Sequence, residues 1–169
     1  MDTVDKATRS RIMRAIKSKD TKPELALRGA LIRARIGPWS RNAPNLPGRP
    51  DFVFHRVKLA VFVHGCFWHL CRTHYKAPAG EGFRAKMDRN RRRDIRVRRK
   101  LRAKDWSTMV VWEHEDADKA AARIGRRIEL LAQLQAVAQR LRGKECPELG
   151  GRCTRAACVG DVCEEELPF

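Results

Sequence analysis

The sequence predicts an α/β protein built on a mixed sheet. Three observations predict it. Apolar residues recur at helical spacing in three segments. Short runs rich in Val and Phe lie between those segments. The 169 residues make one domain rather than two.

Residues 1–20 are polar and basic, with Ile12, Met13 and Ile16 as the few apolar points, and read as a short helix or a mobile arm. A helix is expected over 22–36. Thr21 and Glu24 have capping-box spacing, Pro23 lies in the first turn, and Gly37-Pro38 closes it. Its expected apolar face is Leu25, Ile32 and Ile36, with Leu27 and Leu31 beside them. Residues 44–50, with three prolines and a glycine, form a loop. Asp51–His55 and Lys58–His64 read as two strands joined by a tight connection. The stretch 65–82 is irregular and dense in Cys, His and aromatic residues.

A long helix is expected over 83–104. Phe83, Met87, Asn90, Asp94, Val97 and Leu101 share one face of it, and nearly all else is Arg or Lys. Trp106–Glu113 reads as a strand. Asp116 caps a last helix over 117–142, with Ile124, Ile128, Leu131, Leu134 and Val137 on its buried side. The elements alternate as a mixed α/β sandwich requires. The Gly- and Cys-rich segment 143–169 shows no periodicity and is expected to be flexible. The chain thus divides into an arm (1–20), a central domain (21–142) and a tail (143–169).

The net charge of +17 points to a polyanion, and its placement says more than its sum. Residues 1–49 hold 12 basic and 4 acidic residues, a balance of +8. Residues 84–104 hold 12 and 2, a balance of +10. The tail, with 3 and 6, stands at −3. The longest wholly apolar run is five residues, Leu59 to Val63, far short of a membrane span. The charged N-terminus holds no signal core, so export is not expected. Six cysteines in a non-exported chain suggest thiols or metal ligands rather than disulfides.

Phosphodiester chemistry needs a carboxylate to hold a divalent cation and a second group to take a proton from water. Asp51 opens one expected strand and His64 closes the next, which makes them neighbours in a hairpin. His69 lies in a loop that can fold back to the same point. Singly, each has an ordinary alternative: Asp51 as a turn residue, His64 as a surface imidazole, Glu24 as a helix cap.

Cys66, Cys71 and His74 have metal-ligand spacing, and zinc accepts sulfur and nitrogen in a tetrahedron. His114, His69 and a tail cysteine compete as fourth ligand. Cys146, Cys153, Cys158 and Cys163 are spaced too loosely for a tight knuckle and leave a second zinc site or a reduced tail open. Phe67 and Trp68 suit either a cover for the metal loop or a wedge between base pairs, and Met13 and Ile16 either packing or a similar insertion.

The run His64-Gly65-Cys66-Phe67-Trp68-His69 resembles the very-short-patch-repair mismatch endonucleases. So do the loop 46–51, the segments Lys6–Ser10 and Met13–Ile16, and Val111-Trp112-Glu113. The resemblance covers roughly residues 5–115 and fades beyond. It implies a restriction-endonuclease-like α/β/α fold that nicks DNA 5′ to the T of a T:G mismatch left by deaminated 5-methylcytosine. By resemblance, Asp51 and the main-chain carbonyl of Val63 hold Mg2+. A valine departs from the family's threonine there, but a carbonyl ligand survives the change. His69 becomes the general base, His64 the second catalytic imidazole, and Glu24 a support of the site. Phe62-Val63-His64 stands where nucleases of this fold carry Glu-x-Lys, so His64 takes the lysine's place.

Cys66, Cys71, His74 and His114 become the ligands of a structural Zn2+. Met13, Ile16, Phe67 and Trp68 become the intercalating wedge. Lys86 and Asn90 become readers of the mismatch, although Asn90 also falls on the inward helix face. The implied protein is a cytoplasmic, nucleoid-associated monomer bound to double-stranded DNA, with mismatch-repair proteins as further partners and no membrane. The competing readings are a restriction-type or other-mismatch nuclease of the same fold, and a non-catalytic zinc-dependent DNA-binding module.

Overall fold

The computed structural model describes residues 20–75 and 81–142, together with Thr8, Arg11, Cys158–Val159 and Val162–Cys163. The arm with Met13 and Ile16, and the tail residues Cys146 and Cys153, lie outside the described residues. The elements are α1 (Lys22–Arg33), β1 (Ser40–Arg41), β2 (Phe52–Phe54), β3 (Leu59–His64), α2 (Glu81–Arg102), β4 (Ser107–Trp112), α3 (Ala117–Arg142), β5 (Cys158–Val159) and β6 (Val162–Cys163). The mixed α/β class stands, with a four-stranded sheet in the order β1-β2-β3-β4.

β1, β2 and β3 pair antiparallel, and β3 pairs parallel with β4. The two-residue β1 is too short to read from sequence. A 3-10 turn, His55–Val57, and Lys58 at φ 50° make the tight connection from β2 to β3. The core is Phe52, Val53, Leu59, Ala60 and Val61 from the sheet, with Leu27 and Leu31 (α1), Met87 and Leu101 (α2) and Ile124 (α3). Full burial of side chains this size contributes roughly 1.5–3 kcal/mol each.

α1 ends at Arg33, three residues before the expected end. Arg35 takes a left-handed φ of 53°. Its N–H donates to the Ile32 carbonyl, and the Ile36 N–H donates to that of Leu31. This pair of bonds is a Schellman ending, and it closes the helix before Gly37-Pro38 is reached. The buried stripe of α1 is Glu24, Leu27, Ala30 and Leu31, whereas Leu25 and Ile32 are exposed. The expected face was therefore rotated, because a charged Glu24 belongs to the inward side. Ile36 packs instead onto α3, where a Cβ on Gly125 would lie 3.2 Å from it.

α2 behaves as expected. Met87 and Leu101 are buried, Asn90, Asp94 and Val97 half-buried, and the arginines exposed. Its inward face closes on the 44–50 loop at Gly48, which sits at φ +78°. A Cβ there would lie 2.5 Å from Val97 Cγ1, so only glycine fits. Asp116 caps α3 as expected, its Oδ1 accepting the Lys119 N–H at 2.9 Å.

Two compact units divide the chain, residues 1–128 and 129–169. The second holds the end of α3 and the short β5–β6 pair, in which Cys158 stands opposite Cys163. That pairing was not expected in a segment without periodicity. In this unit Leu134 and Val137 are exposed, contrary to the expected buried side. Among the described residues no helix is long and apolar enough to cross a membrane.

Candidate active site and metal cluster

The parallel pairing of β3 with β4 builds the site. Its register sets His64 beside Trp112, so both chains leave the sheet at the same edge. Residues 65–75 then meet residues 113–115. Glu113 N–H donates to the His64 carbonyl at 2.9 Å, and Glu113 Oε1 accepts the Cys66 N–H at 2.7 Å. The loop closes on itself through His69 N–H to the Gly65 carbonyl (3.1 Å) and Cys71 N–H to that of Cys66 (3.0 Å).

Asp51 lies just before β2, at the same end of the sheet. Its Oδ2 accepts the Val63 N–H at 2.7 Å. Burial, partly offset by that bond and reinforced by Glu24, pushes its carboxyl up to about 6. Glu24 is buried. Instead of closing a standard capping box on the Thr21 N–H, it accepts the Thr21 hydroxyl (2.7 Å) and the Asp20 N–H (3.0 Å). Arg41 Nη2 reaches Glu24 at 3.6 Å and Asp20 at 2.6 Å. A half-buried carboxylate with a second one nearby is an oxygen donor set of the kind a small hard cation relieves.

His64 and His69 stack, with ring centroids 3.8 Å apart and planes 14° from parallel. His69 Nδ1 meets Asp94 Oδ2 at 2.6 Å. Burial, and then the neighbouring His69, holds His64 down at about 4, which keeps it neutral at ordinary pH. Asp94 is pushed up by burial, but the hydrogen bond to His69 and the charges around it bring it below the usual carboxylate range.

The two imidazoles converge as expected, but the carboxylate that joins them within ligand distance is Asp94 and not the expected Asp51. Sequence reasoning placed Asp94 on the inward helix face and gave it no role. The available signal was an acidic residue on the apolar side of a helix whose other sides are basic.

The second cluster lies a few residues away on the same loop. Cys66, Cys71, His74 and His114 bring one ligand atom each to within 4.8 Å of all the others. Among the described residues His114 is the candidate that arrives at the fourth position, while His69 turns to Asp94. The four sulfur-to-Nδ1 distances are 3.0, 3.7, 3.8 and 3.9 Å. Tetrahedral zinc with ordinary bond lengths would set them at about 3.6 Å.

Burial, with Cys71 beside it, pushes the Cys66 thiol up to about 11. Cys71 is also raised by burial, but main-chain N–H groups of His74 and Thr73 outweigh this and bring it to about 7. One thiolate is thus stabilised beforehand, and a metal would displace the second proton. The donor set fits a tetrahedral soft-to-borderline metal.

Phe67 and Trp68 cap the loop edge to face at 5.0 Å, both half-buried. Lys86 Nζ lies 4.6 Å over the Trp68 ring. Asn90 Nδ2 donates to the Trp68 carbonyl at 3.2 Å. Lys86 and Asn90 therefore meet the aromatic loop from α2, and Asn90 spends a donor on its backbone.

Residues 1–75 match the profile of a family described as DNA mismatch endonuclease Vsr. The chain is 40% identical over 115 residues to the DNA mismatch endonuclease Vsr of Escherichia coli K12, covering 66% of this chain and 73% of that protein. It is 40% identical over 124 residues to the type II nicking enzyme V.NaeI of Lentzea aerocolonigenes, covering 70% and 75%. It is 38% identical over 130 residues to the type II nicking enzyme V.XorIIP of Xanthomonas oryzae, covering 71% and 90%.

Proposed function

The chain belongs to the Vsr family of DNA mismatch endonucleases, and from that premise we propose that it nicks duplex DNA 5′ to the T of a T:G mismatch to start very-short-patch repair. The observation that carries this reading is the imidazole stack of His64 and His69, tied to Asp94 at the sheet edge that Asp51 also reaches. We read the sheet as the centre of a restriction-endonuclease-like α/β/α sandwich formed by residues 21–142. Residues 1–20 are an arm and 143–169 a tail.

Asp51 and the Val63 carbonyl would hold Mg2+. When bound, that ion neutralises charge on the scissile phosphate and favours ionisation of a bound water. Asp94 orients the His69 ring, and His69 takes the proton of the attacking water. Neutral His64 stacks against His69 and restricts its tilt. Glu24 fixes the start of α1 and adds negative charge near Asp51. The products are a 5′-phosphate and a 3′-hydroxyl.

Cys66, Cys71, His74 and His114 would hold structural Zn2+, which fixes the loop carrying Phe67 and Trp68. These two, with Met13 and Ile16 of the arm, wedge into the mismatched step. Unstacking costs a few kcal/mol and least at a mismatch, which supplies selectivity. Lys86 and Asn90 flank the opened step. The protein works as a cytoplasmic monomer on nucleoid DNA, upstream of repair proteins that process the nick.

A nicking assay on T:G, other mismatched and perfect duplexes with magnesium tests this. The expected result is a nick 5′ to T in T:G alone, lost in Asp51→Ala. Equal cutting of all three duplexes overturns the mismatch specificity, and full activity in Asp51→Ala overturns the site.

A further inference from the structure

α2 carries basic residues on more than one of its sides. Its inward side is Met87, Asn90, Asp94, Val97 and Leu101. On the flank next to that side, Lys86 and Asn90 reach Trp68. Arg89, Arg92, Arg96 and Arg99 follow one another at steps of three, four and three, and all four are exposed. At 100° per residue their common direction leaves the helix about 160° from its inward side and about 120° from the flank that faces Trp68.

The ridge is about 15 Å long, and a duplex of that length carries about nine phosphate charges. Among the described residues none of the four arginines enters an ion pair; the basic ion pairs belong to Arg33, Arg41, Lys58, His69, Arg93 and Arg123. A helix with its side chains is 10–12 Å across, so the ridge opens onto a different side of the helix from the Trp68 loop.

We propose that the ridge Arg89–Arg92–Arg96–Arg99 holds a second segment of double-stranded DNA while the first occupies the Trp68 side of the protein. The proposal rests on the reading of the site as a nuclease of duplex DNA. The ridge is a row of exposed guanidinium groups, bordered by Asp88 and Ile95 on one side, which suits phosphate backbone and carries no base selectivity. Its consequence is direct transfer. A protein that touches a new duplex before leaving the old one is drawn off by competitor DNA, rather than leaving at its own fixed rate.

The test is dissociation of a short labelled T:G duplex from the full chain, followed by fluorescence anisotropy with calcium in place of magnesium, as unlabelled perfect duplex is raised. The dissociation rate is expected to rise in proportion to competitor, by about threefold or more, through phosphate contacts to the incoming duplex. The variant R89Q/R92Q/R96Q/R99Q should dissociate at a rate independent of competitor, and the corresponding four-lysine variant should recover the dependence. A flat wild-type rate, a dependence that survives the glutamine changes, or a lysine variant that fails to recover it overturns the proposal. Failure of the labelled T:G duplex to bind at all would instead overturn the functional reading beneath it.

Discussion

Two clusters share the loop after β3 and differ in what holds them together. Cys66, Cys71, His74 and His114 have two thiols among their four donors and one member from a distant segment. His64, His69 and Asp94 contain no sulfur and are already satisfied by stacking and one 2.6 Å hydrogen bond. The first cluster sets two thiols against two imidazoles at 3.0–3.9 Å, a donor set that an ion would suit. The second makes its own contacts, so it needs none, and its imidazoles stay available for protons. On the function proposed above, neighbouring residues of one loop divide between a structural role and a chemical one according to the partners that the fold delivers to each.

The largest expected effect breaks the chemistry and leaves the structural cluster intact. Asp51→Asn should reduce nicking by about 10³-fold or more, in line with loss of a charge-stabilising group, with zinc content unchanged by elemental analysis. His69→Ala should cost about 10²–10⁴-fold as a lost general base. Asp94→Asn should cost less, about 10²-fold, because it disturbs the orientation of His69 and not its presence. Equal losses for these two changes would show that Asp94 does more than orient.

The reverse experiment acts on the sulfur cluster. Cys71→Ser should release the zinc and lower Tm by roughly 10 °C, the scale expected when about 3 kcal/mol is lost from a domain of this size. An unchanged zinc content would reject the four-ligand set.

A smaller effect separates stability from activity at Asp51. Its folded-state value of about 6 lies above the ordinary aspartate value of 3.8. The folded protein therefore binds this proton more tightly than the unfolded chain, and Asp51 lowers stability as pH rises from 3.8 to 6. Without added magnesium, Asp51→Asn should be more stable than wild type at pH 7 by about 2 kcal/mol, and no more stable near pH 4. Denaturant unfolding at the two pH values measures this. Gly48→Ala should be destabilising by about 1–3 kcal/mol, since its methyl meets Val97.

Strands β2, β3 and β4, the α2 face and the convergence of His114 on Cys66 were legible in the sequence, because each follows from alternation, helical spacing or the end of the sheet at which a strand leaves. The end of α1 was not. A left-handed Arg35 carries no compositional mark, whereas Gly37-Pro38 does, and the mark pointed past the true end. The inward face of α1 was misjudged for a related reason. Hydrophobicity ranks Leu25 and Ile32 above Glu24, yet Glu24 is the buried one, its carboxylate held by Thr21 and Asp20. Asp94 was placed on the correct face and left without a role, since its partner lies 25 residues back and is met only once α2 crosses the loop.

The parallel pairing of β3 with β4 has a consequence for synthesis. As the chain leaves the ribosome, Cys66, Cys71 and His74 emerge together, while His114 follows 40 residues later. Any ion taken up early by those three sits in an open, exchangeable shell. Closure waits for α2 to span the gap and for Trp112 to settle beside His64. The complete four-donor set is therefore assembled only once β4 has joined the sheet.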